Sequence, residues 1–210
     1  MTDIRIPFGK HRGTPINELD KGYLSWMLKA AASSSTGVLA DFVTTHGDAV
    51  REAIRTSGRR AAEAAPKLTL NQSQNHAAGI IESELLRGDD NLVRLEGGAG
   101  YGKSYCVADV VRRALLAGYE VRACATSYVA TQVLASQLNR FGVEARTIAS
   151  TIRLAKIELE DQESYEQTSD TYDTLIALLS EGNLLIVDEY SMVNDDIADA
   201  MMEAACTHGG

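Results

Sequence analysis

The hydrophobic pattern of the first third of the chain indicates a small folded unit. Residues 3–57 begin with two short extended segments around a glycine-containing turn, and two stretches of helical spacing follow. The segment SGRRAAEAAPK is small, charged and proline-containing, which is typical of a linker. We therefore predict a small α+β accessory domain at 1–57 and a linker at 58–67. The apolar stripes of the two helices comprise Tyr23, Leu24, Met27 and Leu28, and Leu39, Phe42, Val43, Val50 and Ile54.

From Leu68 onward, helical and extended patterns alternate. Such alternation requires crossover connections, so it predicts an α/β domain at 68–210 whose parallel sheet carries helices on both faces. An acidic, polar stretch at 157–173 interrupts the alternation, and we expect it to be a surface insertion. The predicted helices cover 71–87, 103–117, 128–140 and 174–181, and the predicted strands cover 92–96, 121–125, 143–148 and 184–188.

A glycine-rich segment between a predicted strand and a predicted helix matches the phosphate-loop pattern G-x-x-x-x-G-K-[ST]. Glycines allow successive backbone N–H groups to face phosphate oxygens, and the N-terminus of the following helix adds partial positive charge. Lys103 is expected to reach the β- and γ-phosphates, and the Ser104 hydroxyl is expected to ligate Mg²⁺. The pattern predicts a site for ATP and Mg²⁺ formed by Gly98, Ala99, Gly100, Tyr101, Gly102, Lys103, Ser104 and Tyr105.

Two adjacent carboxylates follow the last predicted strand, in the segment NLLIVDEYSMV. The carboxyl edge of a parallel sheet is where open α/β folds bind ligands. Asp188 is expected to hold Mg²⁺, and Glu189 is expected to orient or deprotonate the attacking water. Together with the phosphate loop, the pair predicts hydrolysis of a nucleoside triphosphate, with Lys103 and Glu189 as catalytic residues.

The residues around these motifs resemble RecD-like and Dda-like superfamily 1 DNA helicases. VDEYSMV resembles the family's D-E-A-S-M-V, with Tyr190 in place of Ala, and GGAGYGKS resembles G-P-A-G-T-G-K-[ST], with Gly98 and Tyr101 as departures. LNQSQNHAA is similar to the helicase Q-motif, which implies that Gln74 reads adenine. The resemblance implies a P-loop (RecA-like) fold and an ATP-dependent, phage-type 5′→3′ helicase of DNA replication, recombination or repair.

Two further segments resemble helicase motifs that contact single-stranded DNA. CATSYVATQVLA is similar to motif Ia, in which Thr126 and Ser127 match and Ala125 replaces the usual Pro. GVEARTIAS resembles T-I-H-S, which implies a contact from Thr147. The insertion at 157–173 lies where the family places its strand-separating hairpin, and its shortness implies a reduced pin at best.

The first block has a resemblance of its own. IPFGKHRGTPINELDKGYLSWML is similar to the F-G-K-[YH]-[RK]-G-x-P…[Y]-L-x-W module of some exonuclease X-like and phage proteins. Its basic turn suggests phosphate contacts from Lys10 and Arg12 beside an aromatic platform. The alternative is that Phe8, Tyr23 and Trp26 form the core, and we favour it because so small a domain needs its aromatic residues for packing.

The family's later motifs, including G-D-x-x-Q-L and a second RecA-like domain with an arginine finger, are not present in the 210 residues. In the family, the strand after the carboxylate pair inserts between the phosphate-loop strand and the carboxylate strand. We therefore expect this chain to bind ATP weakly and not to unwind DNA alone. The expected partners are single-stranded DNA and either the remaining helicase half or replication proteins.

Composition limits these readings without selecting among them. The formal net charge is −9. Residues 1–65 contain 9 basic and 7 acidic residues, so the acidic excess lies in the remainder of the chain. The acidic balance disfavours DNA binding by the whole surface but does not exclude a local basic surface. Three unpatterned cysteines and the lack of a long apolar run favour a soluble intracellular protein without a membrane partner. The resemblance to phage-type helicases implies the cytoplasm of a bacterial or phage-infected cell. A non-motor ATPase switch, or a nucleic-acid-binding module with a degenerate ATPase, remains an alternative, and a nucleotide kinase is disfavoured.

Overall fold

A computed structural model describes residues 4–33, 36–87, 92–152, 155–159, 162–166, 169–179 and 183–208. The helices in these ranges are α1 (Lys21–Ala32), α2 (Val38–Ala64), α3 (Gln72–Arg87), α4 (Lys103–Ala117), α5 (Tyr128–Leu138), α6 (Ile148–Thr151), α7 (Ser169–Leu178) and α8 (Asp195–His208). The strands are β1 (Glu120–Ala125), β2 (Ala145–Thr147), β3 (Ala155–Leu159), β4 (Gln162–Glu166) and β5 (Asn183–Asp188). Short 3₁₀ turns lie at Gly9–His11, Ile16–Glu18, Asn139–Phe141 and Tyr190–Met192.

The central sheet is parallel, as the sequence predicts, with strand order β2-β1-β5. Its register aligns Ala125 of β1 with Thr147 of β2 and with Asp188 of β5. The carboxyl ends of all three strands therefore meet at one edge, where predicted ligand-binding residues also lie.

Alternating residues of the sheet bury against helices on its two faces. Val121, Ala123 and Ala125 share a hydrophobic cluster with residues of α4 and α5, whereas Cys124 belongs to a cluster with residues of α7 and α8. Burial raises the pKa of the Cys124 thiol to about 12, so the thiol is protonated at neutral pH. The expectation of helices on both faces is confirmed.

The N-terminal residues form a second, smaller core. Leu24 and Met27 of α1 are fully buried against Val50 and Ile54 of α2, as the helical stripes predict. The Asp20 side chain caps α1 by accepting a 2.8 Å hydrogen bond from the Tyr23 backbone N–H.

The segment predicted as a linker is largely helical, which corrects the sequence interpretation of 58–67. Helix α2 continues to Ala64, because Arg59 and Glu63 pair one turn apart at 3.2 Å and the small residues pack inward. Ala62 is fully buried in the core that contains α4 and α5. The helix ends just before Pro66, which disfavours helical geometry at the preceding residue. The division into domains at this point stays a prediction.

Lys21 of the N-terminal unit lies within electrostatic reach of charged residues at the amino end of β1. Burial lowers the pKa of Lys21, and the positive charge of Arg122 lowers it further. The negative charges of Glu120 and Glu144 partly oppose this shift. These groups belong to the start of α1 and to β1 and its surroundings. The two units therefore meet along α2 and near the amino end of β1.

Four sequence-predicted elements differ from the structure. The helix predicted at 128–140 ends at Leu138 and is followed by the 3₁₀ turn Asn139–Phe141. The strand predicted at 92–96 is absent: residues 92–98 have no regular secondary structure, and no described strand pairs with them. The strand predicted at 143–148 is only Ala145–Thr147, because Thr147 caps α6 and turns the chain. The helix predicted at 174–181 is Ser169–Leu178, because the buried stripe of Leu175 and Leu178 extends back to Thr171.

The acidic insertion contains a two-stranded antiparallel pair. Strand β3 pairs with β4, with Lys156 opposite Tyr165. This pair is not hydrogen-bonded to the central sheet. In the described part of the chain, none of the helices combines the length and apolar content needed to cross a lipid bilayer.

Candidate nucleotide-binding site

The phosphate loop lies at the N-terminus of α4 and depends on two left-handed glycines. Gly100 has φ of +80°, and Gly102, the residue that precedes the helix, has φ of +77°. A Cβ on Gly102 would also collide with the side-chain amide nitrogen of Gln74. Glycine is therefore favoured at position 102 by backbone conformation, and a larger residue would also have to displace the Gln74 amide.

Lys103 folds back over this loop. Its Nζ donates hydrogen bonds of 2.6 Å to the Gly97 carbonyl and 3.1 Å to the Gly98 carbonyl. Among the described residues, no carboxylate forms an ion pair with Lys103. Within the described part of the chain the ammonium group bonds to neutral carbonyl oxygens, so an incoming anion would add a charge–charge interaction.

A cavity of about 550 Å³ opens beside the loop, a volume in the range of small-molecule sites. Two of its lining residues, Gln137 and Arg140, carry polar groups without a hydrogen-bond partner in the described part of the chain. The Gln137 Oε1 atom is buried without a hydrogen-bond partner. The Arg140 guanidinium lies 5.0 Å from the centroid of the Phe141 ring. The cavity is lined by Gly100, Gly102, Lys103, Ser104, Tyr105, Ser136, Gln137 and Arg140.

Sequence reasoning found five of these residues and missed the other three. Gly98, Ala99 and Tyr101 belong to the loop but do not line the cavity; a Cβ on Gly98 would lie 2.9 Å from the Tyr101 ring. The missed residues, Ser136, Gln137 and Arg140, lie near the end of α5 and carry no motif. The only sequence signal for them was their spacing, which places three polar residues on one face of a helix.

Gln74 lies against the phosphate loop. Its side-chain Nε2 donates a 3.3 Å hydrogen bond to the Tyr101 carbonyl, and its Oε1 accepts one of 3.1 Å from the Asn71 backbone. Both ends of this amide are thus engaged by the protein. The structure places Gln74 beside the loop, and its contact with adenine stays a prediction.

An ion-pair network fixes α3 against α4. The Arg113 guanidinium donates to Asp109 and to Glu82 at 2.6 Å each, and to the Asn75 side chain at 3.1 Å. Burial opposes the charged form of Arg113, but the hydrogen bonds and charges of Glu82 and Asp109 prevail and raise its pKa. The network holds the helix that carries Gln74 beside the helix that begins at the phosphate loop.

The two carboxylates end β5, as predicted. Glu189 has φ of 54° and ψ of 38°, and it is the one non-glycine residue with positive φ in the described part of the chain. Its backbone N–H donates to Asp188 Oδ1 at 3.0 Å, and its Oε2 accepts a 3.4 Å hydrogen bond from Thr126 Oγ1. A strained backbone at a carboxylate is typical of functional sites.

The other predicted nucleic-acid residues fall into two places. Ser127 caps α5 by accepting from the Ala130 N–H, and Thr147 caps α6 by accepting from the Ser150 N–H. With Thr126, they lie at the same sheet edge as Asp188. Lys10 and Arg12 lie apart from this edge, on an exposed turn of the N-terminal unit. Contact of any of these residues with DNA stays a prediction.

The available donors suit Mg²⁺ that is shared with a phosphate substrate. The Ser104 hydroxyl and the Asp188 carboxylate are hard oxygen donors of the kind Mg²⁺ prefers. In the part of the chain that the structure describes, no group of three or more His, Cys, Asp or Glu residues could hold a metal ion by itself. Magnesium typically combines one or two protein oxygens with substrate phosphates and water, so this donor set fits.

Comparison with known families identifies this domain. The family model described as AAA domain matches residues 69–210, more than half of the chain. The chain belongs to this AAA domain family. Its AAA domain has the P-loop NTPase fold, which agrees with the parallel sheet and flanking helices, and the family is found in RecD-like and UvrD-like superfamily 1 helicases. Membership implies nucleotide binding.

No curated protein and no solved structure matches the chain significantly. The N-terminal unit, with Lys10 and Arg12, lies before the first residue of the AAA domain match.

Proposed function

We propose that this chain provides the ATP-hydrolysing part of an ATP-dependent DNA helicase. The observation that carries the proposal is the phosphate loop, in which Lys103, without a carboxylate partner among the described residues, faces a cavity of about 550 Å³. The family match supports a nucleotide-binding domain of the type found in helicases. The 5′→3′ direction, the phage-type setting and the role in replication, recombination or repair rest on the sequence resemblance.

Binding of the triphosphate requires Lys103 to exchange partners. Its Nζ now bonds to the Gly97 and Gly98 carbonyls, and phosphate oxygens offer stronger, charge-assisted hydrogen bonds. Backbone N–H groups at the start of α4 stabilise the same oxygens. Arg140 contributes a second positive charge to the cavity wall.

Hydrolysis requires a positioned water and a stabilised leaving group. Glu189 is the acceptor for the water proton, and Thr126 holds one of its oxygens at 3.4 Å. Mg²⁺, held by Ser104 and Asp188, would neutralise charge on the phosphates. The left-handed backbone of Glu189 sets the direction in which its carboxylate leaves the end of β5.

Thr126 is both a DNA-contacting residue proposed from motif Ia and a hydrogen-bond partner of the catalytic carboxylate Glu189. Thr126 follows β1, and its hydroxyl donates to Glu189. Ser127 and Thr147 cap the helices that start at the same edge. A strand of DNA bound along this edge would therefore act on the residue that orients Glu189, which supports coupling of DNA binding to ATP hydrolysis.

The test is ATP hydrolysis with and without single-stranded DNA. We expect DNA to stimulate hydrolysis by the wild-type chain, because Thr126 links the two sites, and we expect Lys103→Ala to lose the activity. Lys67→Ala, an exposed lysine outside the cavity, is the matched control. Hydrolysis that DNA does not change would instead favour a non-motor ATPase switch. No hydrolysis by the wild-type chain would contradict an ATPase of either kind.

A further inference from the structure

An aromatic ladder lies on the surface of the N-terminal unit. The rings of His11 and Tyr23 are 4.3 Å apart between centroids, and those of Tyr23 and Trp26 are 5.3 Å apart with planes 30° from parallel. Trp26 is 51% exposed. The expectation that this aromatic residue belongs to the core is therefore wrong for Trp26.

The exposure of Trp26 is set by the helix that carries it. Helix α1 buries Leu24 and Met27 completely, and Tyr23 and Trp26 follow one another on a neighbouring face. The core is filled by aliphatic residues and by Phe42, which Phe8 meets edge-on at 5.7 Å. Because Trp26 is not part of this core, its indole ring is a surface feature, and large exposed aromatic rings commonly serve in binding.

A basic turn adjoins the ladder at its His11 end. Lys10 and Arg12 are exposed and flank His11, and no described carboxylate forms an ion pair with either. Backbone hydrogen bonds order this turn. The Gly13 N–H donates to the Ile6 carbonyl at 2.7 Å, and the Ile6 N–H donates to the Thr14 carbonyl at 3.0 Å.

The turn and the rings also touch. A Cβ on Gly9 would lie 3.9 Å from Tyr23 Oη, so the backbone of the turn lies beside the hydroxyl end of the middle ring. Gly9 has φ of +64°, a conformation that favours glycine. The backbone that carries the two positive side chains is therefore fixed beside the aromatic rings.

We propose that this surface binds single-stranded nucleic acid, with a base stacked on the exposed face of Trp26 and phosphates on Lys10 and Arg12. A single strand offers π-faces and negative charges in alternation, and the ladder and the turn offer their complements. A duplex hides its bases, so it would contact only the turn. The unit is the positive part of an acidic chain, with 9 basic against 7 acidic residues in 1–65.

The chain supplies its own reporter for this proposal. Trp26 is the single tryptophan, so its fluorescence reports directly on stacking. We expect a short oligothymidylate to quench this fluorescence saturably in the full chain, and we expect added salt to weaken the binding. Lys103→Ala should show the same quenching, because the proposed surface does not use the ATP site.

Variants separate the ladder from the turn when binding of a fluorescein-labelled oligothymidylate is followed by anisotropy. We expect Trp26→Ala to weaken binding about tenfold and Trp26→Phe to recover most of the loss, because stacking on a base depends on the ring. Lys10→Ala with Arg12→Ala should weaken binding and reduce the salt slope by about 1.4, as expected for two lost phosphate contacts. Arg60→Ala with Lys67→Ala, two exposed basic residues outside the turn and the ladder, is the matched control.

Two results would overturn the proposal. One is no change of Trp26 fluorescence at saturating oligonucleotide; the other is equal affinity of the wild type, Trp26→Ala and the double turn variant. If binding is lost only when Thr126 and Ser127 are replaced, the second result is obtained and DNA binds to the AAA domain alone. That outcome would overturn this proposal but leave the proposed helicase function intact. Circular dichroism of each variant confirms that the exposed substitutions leave the fold unchanged.

Discussion

At the scale of single residues, the site is defined by a lysine and a carboxylate. The lysine now bonds to carbonyl oxygens, which are weaker partners than phosphate oxygens, and the carboxylate has a strained backbone. Lys103 rests on carbonyl oxygens. Glu189 is held in a left-handed conformation at the end of β5. Residue types and spacing allowed Lys103 and Glu189 to be predicted, whereas the backbone strain at Glu189 could not be, because D-E pairs also occur in unstrained turns.

Replacing Glu189 tests whether its backbone strain belongs to the catalytic arrangement. Both Glu189→Gly and Glu189→Gln remove the carboxylate, so both should reduce ATP hydrolysis about 100-fold or more. Only glycine adopts the positive φ without strain. Glycine also loses more chain entropy on folding, and after this cost is subtracted we expect Glu189→Gly to be more stable than Glu189→Gln by roughly 0.5–1 kcal/mol. Urea unfolding of the two variants measures the difference. A glycine variant less stable than the glutamine variant would contradict this account of the strain.

At the scale of elements, α2 joins the two units that the sequence separates. The composition of 58–67 favours a linker, yet Arg59 pairs with Glu63 and Ala62 is fully buried beneath α4 and α5. Local composition could not reveal this burial, because the partner surface lies more than forty residues further along the chain. Helices α3 and α4 and strands β1 and β5, in contrast, agree with their predicted bounds to within one residue, because their apolar periodicity is strong.

Gly58 provides a direct test of the α2–α4 contact. A Cβ at Gly58 would lie 2.9 Å from Cδ2 of the buried Leu115, whereas nothing lies within 4 Å of a Cβ at Gly79 in α3. We expect Gly58→Leu to destabilise the protein by about 1–3 kcal/mol through overpacking, despite the better helix propensity of leucine. Gly79→Leu should be neutral or stabilise by up to about 0.8 kcal/mol. Equal free energies of unfolding for the two variants would show that α2 does not pack on α4 in solution.

At the scale of the whole molecule, the sheet and the cavity depend on contacts between distant segments. The predicted strand at 92–96 has an extended apolar pattern but no strand partner among the described residues, and a pattern alone cannot supply a partner. The cavity residues Gln137 and Arg140 escaped prediction because α5 brings them to the phosphate loop only after folding. The fold class and the phosphate loop were predictable, since each follows from local periodicity or spacing.

The central claim is that the loop from Gly97 to Ser104 binds the phosphates of ATP. Equilibrium titration with a fluorescent ATP analogue in the presence of Mg²⁺, followed by competition with unlabelled ATP, tests it most directly. We expect saturable binding by the wild type and Lys67→Ala, and binding weaker by roughly 10- to 100-fold in Lys103→Ala, the loss expected for a charged hydrogen bond. Equal affinities of the wild type and Lys103→Ala, or binding that ATP does not displace, would contradict the account.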